Sequence, residues 1–152
     1  MKTNAVRTQK RFMTWSVWLY VMLAAFLSLS ALSGGYVLCN DPTGKAMLLS
    51  LDWLEPTPFK NYFIPGVILF CVLGVYPLLV IYGLLAHANG YGVWIATVLL
   101  GVATLVWLLV EVLMIGFVHP VLLILQVAYG LLGLSLFVLP FTPGMRSTSK
   151  QK

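Results

Sequence analysis

The chain has 152 residues, of which 61% are hydrophobic and only 9% charged, against about 25% charged in an ordinary soluble domain. So little polar surface cannot cover a fold of this size in water without large apolar patches, and a mean hydropathy of +0.97 points to hydrocarbon as the solvent. The net charge of +5 does not call for nucleic acid, because the basic residues gather in the two tails and no soluble module interleaves them with aromatic residues.

Residues 1–12 form a basic tail with Lys2, Arg7, Lys10 and Arg11. The first apolar run follows from about Met13 to Tyr36, near the ~20 residues needed to cross a bilayer. Within it, Ala31-Leu32-Ser33 followed by Gly34 has the look of a signal-peptide cleavage site. The apolar stretch from Trp15 to Leu32 exceeds the usual ~7–15 residues of a signal core, and Cys39 lacks the small preceding residue of a lipoprotein site. The run is therefore expected to remain as a span.

The stretch from Val37 to Asn61 is not a plain polar linker. Asp41-Pro42-Thr43-Gly44 has the composition of a type I turn, with aspartate and proline at its start and glycine at its exit. The segment from Met47 to Leu54 is apolar but too short to span, so it is expected to rest in the membrane interface or cap the outer mouth of a bundle. Thr57-Pro58 reads as an N-cap and first helical position, with a bend expected at Pro65-Gly66.

Three more apolar runs follow, from Tyr62 to Ala86, Val93 to Phe117 and Val121 to Phe141. Backbone in lipid must satisfy its own hydrogen bonds, so each run must be helical or part of a closed barrel. Continuous apolar runs favour helix, since barrel strands alternate apolar and polar residues. The expected fold is an all-α transmembrane four-helix bundle over residues 13–141, with a second basic tail at 142–152 carrying Arg146, Lys150 and Lys152. An even number of spans puts both tails on one side, which then holds seven basic residues, against Lys45 and Lys60 on the other. The positive-inside rule makes that side cytoplasmic and the long first loop external. Tryptophans and tyrosines near the span ends, Trp15, Trp18, Tyr20, Tyr36, Trp53, Tyr62, Tyr82, Tyr91 and Trp94, fit interfacial belts.

Glu111 is the only acidic residue inside a predicted span. An ionised side chain at the centre of a membrane helix costs about 2.5–3.5 kcal/mol on insertion scales, so the neutral acid is expected, with a polar partner. Gln126 is the candidate, because an antiparallel hairpin turning near His119 brings the two to similar depth. Thr97, Gly101, Thr104, Leu108 and Glu111 share one face of the third span, and Gln126, Gly130, Gly133 and Phe137 one face of the fourth. Ala24, Ser28, Ala31 and Gly35 make a similar stripe on the first, and stripes of small residues let membrane helices approach closely. The three stripes are expected to meet, which gathers Glu111, Gln126, Ser28 and Tyr129 into a polar intramembrane site.

Nothing else in the chain reads as chemistry. Cys39 and Cys71 form no CxxC pair, and His87 and His119 bracket the third span from opposite sides. No nucleophile and base pair or phosphate-cradling loop appears. No catalytic residue, metal or cofactor is expected.

Gly34-Gly35, Asp41-Pro42-Thr43-Gly44, Pro58-Phe59 and Ile64-Pro65-Gly66 together resemble a pattern that recurs in small uncharacterised bacterial four-helix integral membrane proteins. The resemblance implies a multi-pass protein of the bacterial cytoplasmic (inner) membrane and carries no activity with it. The small multidrug transporters place their acid in the first span, and vitamin K epoxide reductase relatives need a CxxC, so neither group fits. The expectation is a noncatalytic accessory or assembling subunit, not an enzyme. Its partners would be the lipid bilayer and either another membrane protein or further copies of the chain. The alternative is a small proton- or cation-coupled transporter using Glu111.

Overall fold

A computed structural model describes residues 15–55, 57–86, 91–115 and 120–145, with no strand among them. Four helices are long and apolar enough to cross a membrane: Trp15–Asn40, Phe63–Leu85, Tyr91–Leu113 and Leu123–Phe141. Between 22% and 39% of the most apolar window of each is buried within the protein, so most of every span faces outward. Exposed residues such as Met22, Phe26, Leu79, Leu113 and Ile124 make that outer surface apolar, which suits lipid and not water.

The first helix runs past the expected Tyr36 to Asn40. Asn40 Nδ2 donates to the Tyr36 carbonyl at 2.8 Å, and the Asp41 amide to Val37. These bonds satisfy carbonyls of the last turn before Pro42, which cannot donate to a further one.

The second span departs most from expectation. No helix starts at Thr57-Pro58. Thr57 Oγ1 instead donates to the Leu54 carbonyl at 2.8 Å and accepts from the Phe59 amide at 3.2 Å, which holds a turn. Helix Phe63–Ile68 continues through Pro65-Gly66 without a break, because Pro65 falls in the first turn, where its missing N–H would have had no helical partner. The irregularity lies one turn later, where Leu69–Val75 widens into a π-helix and the Tyr76 amide donates to the Cys71 carbonyl. Pro77 explains the position: it has no N–H to offer a carbonyl of the preceding turn, so the ladder must shift register there. Ser28 Oγ, from the first span, donates to the Gly74 carbonyl inside this π turn at 2.7 Å. Such side-chain and π adjustments are how membrane helices accommodate proline.

The small-residue stripes divide between two partners. On the first span Gly35 and Ser28 meet the second, where a Cβ at Gly35 would lie 2.8 Å from the Phe70 backbone nitrogen and one at Gly66 would lie 2.8 Å from Leu38 Cβ, while Ala24 and Ala31 join a core shared with the third and fourth spans. The third and fourth spans close on each other, with a Cβ at Gly101 only 2.5 Å from Phe137 Cα and one at Gly133 3.1 Å from Thr104. The protein is therefore two helical hairpins, each sealed along its own glycine seam.

The hairpins join at the end remote from the long loop. Tyr20, fully buried and not part of an interfacial belt, donates its hydroxyl to the Thr97 carbonyl at 2.8 Å, and Tyr76 donates to Ala96 at 3.0 Å. Around them Val17, Ala24, Leu27, Leu73, Val80 and Leu100 form the main core, and Met145 folds back into it beyond the fourth span. Trp94 Nε1 donates to the Pro140 carbonyl at 2.9 Å and pins that returning turn. Trp15, Trp18, Tyr36, Tyr82 and Tyr91 remain exposed near helix ends, as belt residues should be.

The seams make a direct prediction. Gly101→Ala should destabilise the protein by about 1–3 kcal/mol through overpacking against backbone. Gly92→Ala, where a Cβ meets nothing within 4 Å, should be neutral or slightly stabilising. Thermal unfolding of both variants in detergent checks this, and equal midpoints would contradict close packing at Gly101.

Candidate functional site

At the loop end a space opens between the two hairpins. They enclose a cavity of about 270 Å³ whose walls come from all four spans. Ala31 and Leu38 of the first helix and Leu69 and Leu73 of the second form one side. Trp107 and Glu111 of the third and Leu125 and Tyr129 of the fourth form the other. Leu69 and Leu73 both belong to the π segment, so the irregular turn forced ahead of Pro77 also shapes this wall.

The long loop roofs the cavity with Met47, Leu49 and Tyr62. Its fold is specific. Asp41 Oδ1 accepts from the Thr43 amide and hydroxyl at 3.2 and 2.6 Å, and Oδ2 accepts from the Ala46 amide at 2.8 Å. The Thr43 and Ala46 hydrogen bonds hold the Asp41 carboxyl below the usual carboxylate range. Gly44, at φ +76°, completes the turn and lies under the Tyr62 ring, where any Cβ would fall 2.8 Å from a ring carbon. Only glycine combines that backbone with that contact.

Tyr62 ties the roof together. Its amide donates to the Pro42 carbonyl at 2.9 Å and its hydroxyl to the Ser50 carbonyl at 2.6 Å. Leu38, Leu54 and Tyr62 form a small separate core beneath it, and the Leu51–Leu54 turn leans on the third span. The apolar segment from Met47 to Leu54 is thus a folded cap and not a slack interfacial strip. Leu48 does point outward: at φ +57° it is 90% exposed, as an anchor in the headgroup region would be.

Of the four expected site residues, Glu111 and Tyr129 line this cavity and Ser28 and Gln126 do not. Ser28 is fully buried against Gly74 of the second span. Gln126 is buried in the fourth, at 4% exposure. Glu111 is half-buried, with Trp107 one helical turn back and its indole beside the carboxyl. It shares the cavity with the roof residues Met47, Leu49 and Tyr62. His87 and His119 are outside the described residues.

Most other polar side chains of the wall are already engaged. Ser30 donates to the Phe26 and Leu27 carbonyls and Thr104 to Leu100, each within its own helix. Cys39 and Cys71 are both free, and no cluster of three metal-ligating side chains occurs among the described residues. Trp107 could have been suspected from its i, i+4 spacing to Glu111. The contribution of the loop to the wall carries no comparable signal.

Comparison of this chain with protein-family models, curated proteins and solved structures finds no match.

The roof can be tested in two ways. Tyr62→Phe removes the bond to Ser50 and should cost about 1 kcal/mol, visible as a lower unfolding midpoint in detergent; an unchanged midpoint would show that the bond adds nothing. The turn should also loosen in acid. Because the folded Asp41 carboxyl titrates below its unfolded value, the turn's support is complete above about pH 4 and is lost as pH falls through the folded value. Hydrogen exchange at the Ala46 amide, corrected for intrinsic rate, should show protection falling over that range. Constant protection would contradict the role given to the carboxylate.

Proposed function

We propose that the chain is a noncatalytic multi-pass protein of the bacterial cytoplasmic membrane, an accessory or assembling subunit with both termini in the cytoplasm. The observation that carries this reading is the use of the buried hydroxyls. Tyr20 and Ser28 each donate to a backbone carbonyl of another span and Thr104 to one of its own helix, so these buried hydroxyls serve the backbone and the packing of spans. The resemblance to small bacterial four-helix membrane proteins and the excess of Lys and Arg in the tails support the location and orientation.

A second reading, a small proton- or cation-coupled transporter, is favoured by one observation: the sole intramembrane acid faces a cavity shared by all four spans. Glu111→Gln separates the two, since it keeps size and hydrogen bonding and removes titration. An accessory subunit should retain its abundance and bring down the same membrane protein, or the same number of its own copies, when purified from native membranes with or without the substitution. Recovery of a solitary chain that drives solute flux in proteoliposomes, with flux abolished by Glu111→Gln, would overturn the accessory reading.

A further inference from the structure

The cavity between the hairpins is large for a packing defect. An apolar void of about 150 Å³ already accepts a benzene-sized guest, and pockets for small ligands begin near 300 Å³; this one measures about 270 Å³. It is not sealed, because the wall residues Met47 and Leu125 are 42% and 46% exposed. Its charge is one-sided. Glu111 is the only carboxylic acid among the described residues of the wall, which include no Lys, Arg or His, and Ser30, Thr104 and Tyr62 donate their hydroxyls to backbone carbonyls, leaving Trp107 and Tyr129 as the other polar side chains beside the acid. The occupant best matched to these walls has an apolar body and a head that donates hydrogen bonds or carries positive charge.

From these walls we propose that the cavity is a binding site for a lipophilic amine, whose hydrocarbon body lies against Leu69, Leu73 and Leu125 and whose ammonium head meets the Glu111 carboxylate. Three features favour this class. An ammonium group beside Glu111 offsets the cost that otherwise keeps the acid neutral in a membrane, and a charge-assisted hydrogen bond to the resulting carboxylate is stronger than a neutral one, more so where water is scarce. Trp107 and Tyr129 supply aromatic surface that attracts an ammonium group. A fatty acid or a phosphate-bearing head would instead bring its negative charge beside Glu111 with no basic residue among the described wall residues to meet it. The inference is separate from the accessory role: a subunit can hold such a ligand without carrying it, and the site can fail without changing what the protein assembles with.

Native mass spectrometry of the full-length protein released from nonionic detergent provides the test, with dodecylamine compared against dodecanol at equal concentration. The wild type should retain one amine per chain and favour it over the alcohol by about tenfold, the gain expected of one charged hydrogen bond. Glu111→Gln should abolish the preference, and Leu125→Trp, which fills the cavity from a partly exposed position, should exclude both. Equal retention of amine and alcohol by the wild type would overturn the proposal without need of any variant, and would mark the cavity as a berth for an ordinary lipid chain. A preference that survives Glu111→Gln, or amine binding that survives Leu125→Trp, would also overturn it.

Discussion

Backbone amides and carbonyls in hydrocarbon have no water to turn to, and this requirement organises the whole molecule. It makes the four apolar runs helical, and it explains why the second of them is irregular. Pro77 withholds a donor, the ladder widens over Leu69–Val75, and Ser28 of the neighbouring helix donates to the Gly74 carbonyl. Tyr20 and Tyr76 likewise spend their hydroxyls on backbone carbonyls of the third span. These hydrogen bonds between helices thus end on the main chain.

Such contacts need close approach, and the glycine seams provide it within each hairpin. Between hairpins there is no comparable seam. They meet through tyrosines at one end and through the capping loop at the other, and the space left between becomes the cavity holding Glu111. The roof itself depends on a short chain of local interactions, from the Asp41 carboxylate through the left-handed Gly44 to the Tyr62 ring and hydroxyl. The lone acid thus sits beneath a folded cap.

Much of the architecture was legible in the residues. Runs of apolar character located each span to within a few positions, because nothing else in a chain this hydrophobic competes with the signal. Asp41-Pro42-Thr43-Gly44 identified its turn, since each residue there acts through its own side chain or its own φ. What depends on the partner was not legible. Pro65 and Pro77 look alike in sequence, yet only Pro77 lies where a missing donor disturbs the ladder. Ala24, Ser28, Ala31 and Gly35 announce a close-packed face without saying which helix each residue meets; Ser28 and Gly35 meet the second span, while Ala24 and Ala31 belong to a core shared with the third and fourth. Tyr20 sits where a belt residue would, but the nearby Thr97 carbonyl draws it inside. For the candidate site, Glu111 and Tyr129 were found by polarity and depth, whereas the loop residues of the roof reach it only through tertiary folding.

The central claim is that four spans cross the bilayer as two hairpins, which places the turn at Lys45 and the returning segment at Thr142 on opposite faces. Single cysteines at these two positions, in a chain with Cys39 and Cys71 replaced by serine, can be labelled in sealed vesicles with a membrane-impermeant maleimide. The account predicts that one of the two reacts at once and the other only after the membrane is opened. Reaction of both in sealed vesicles, or of neither, would contradict it.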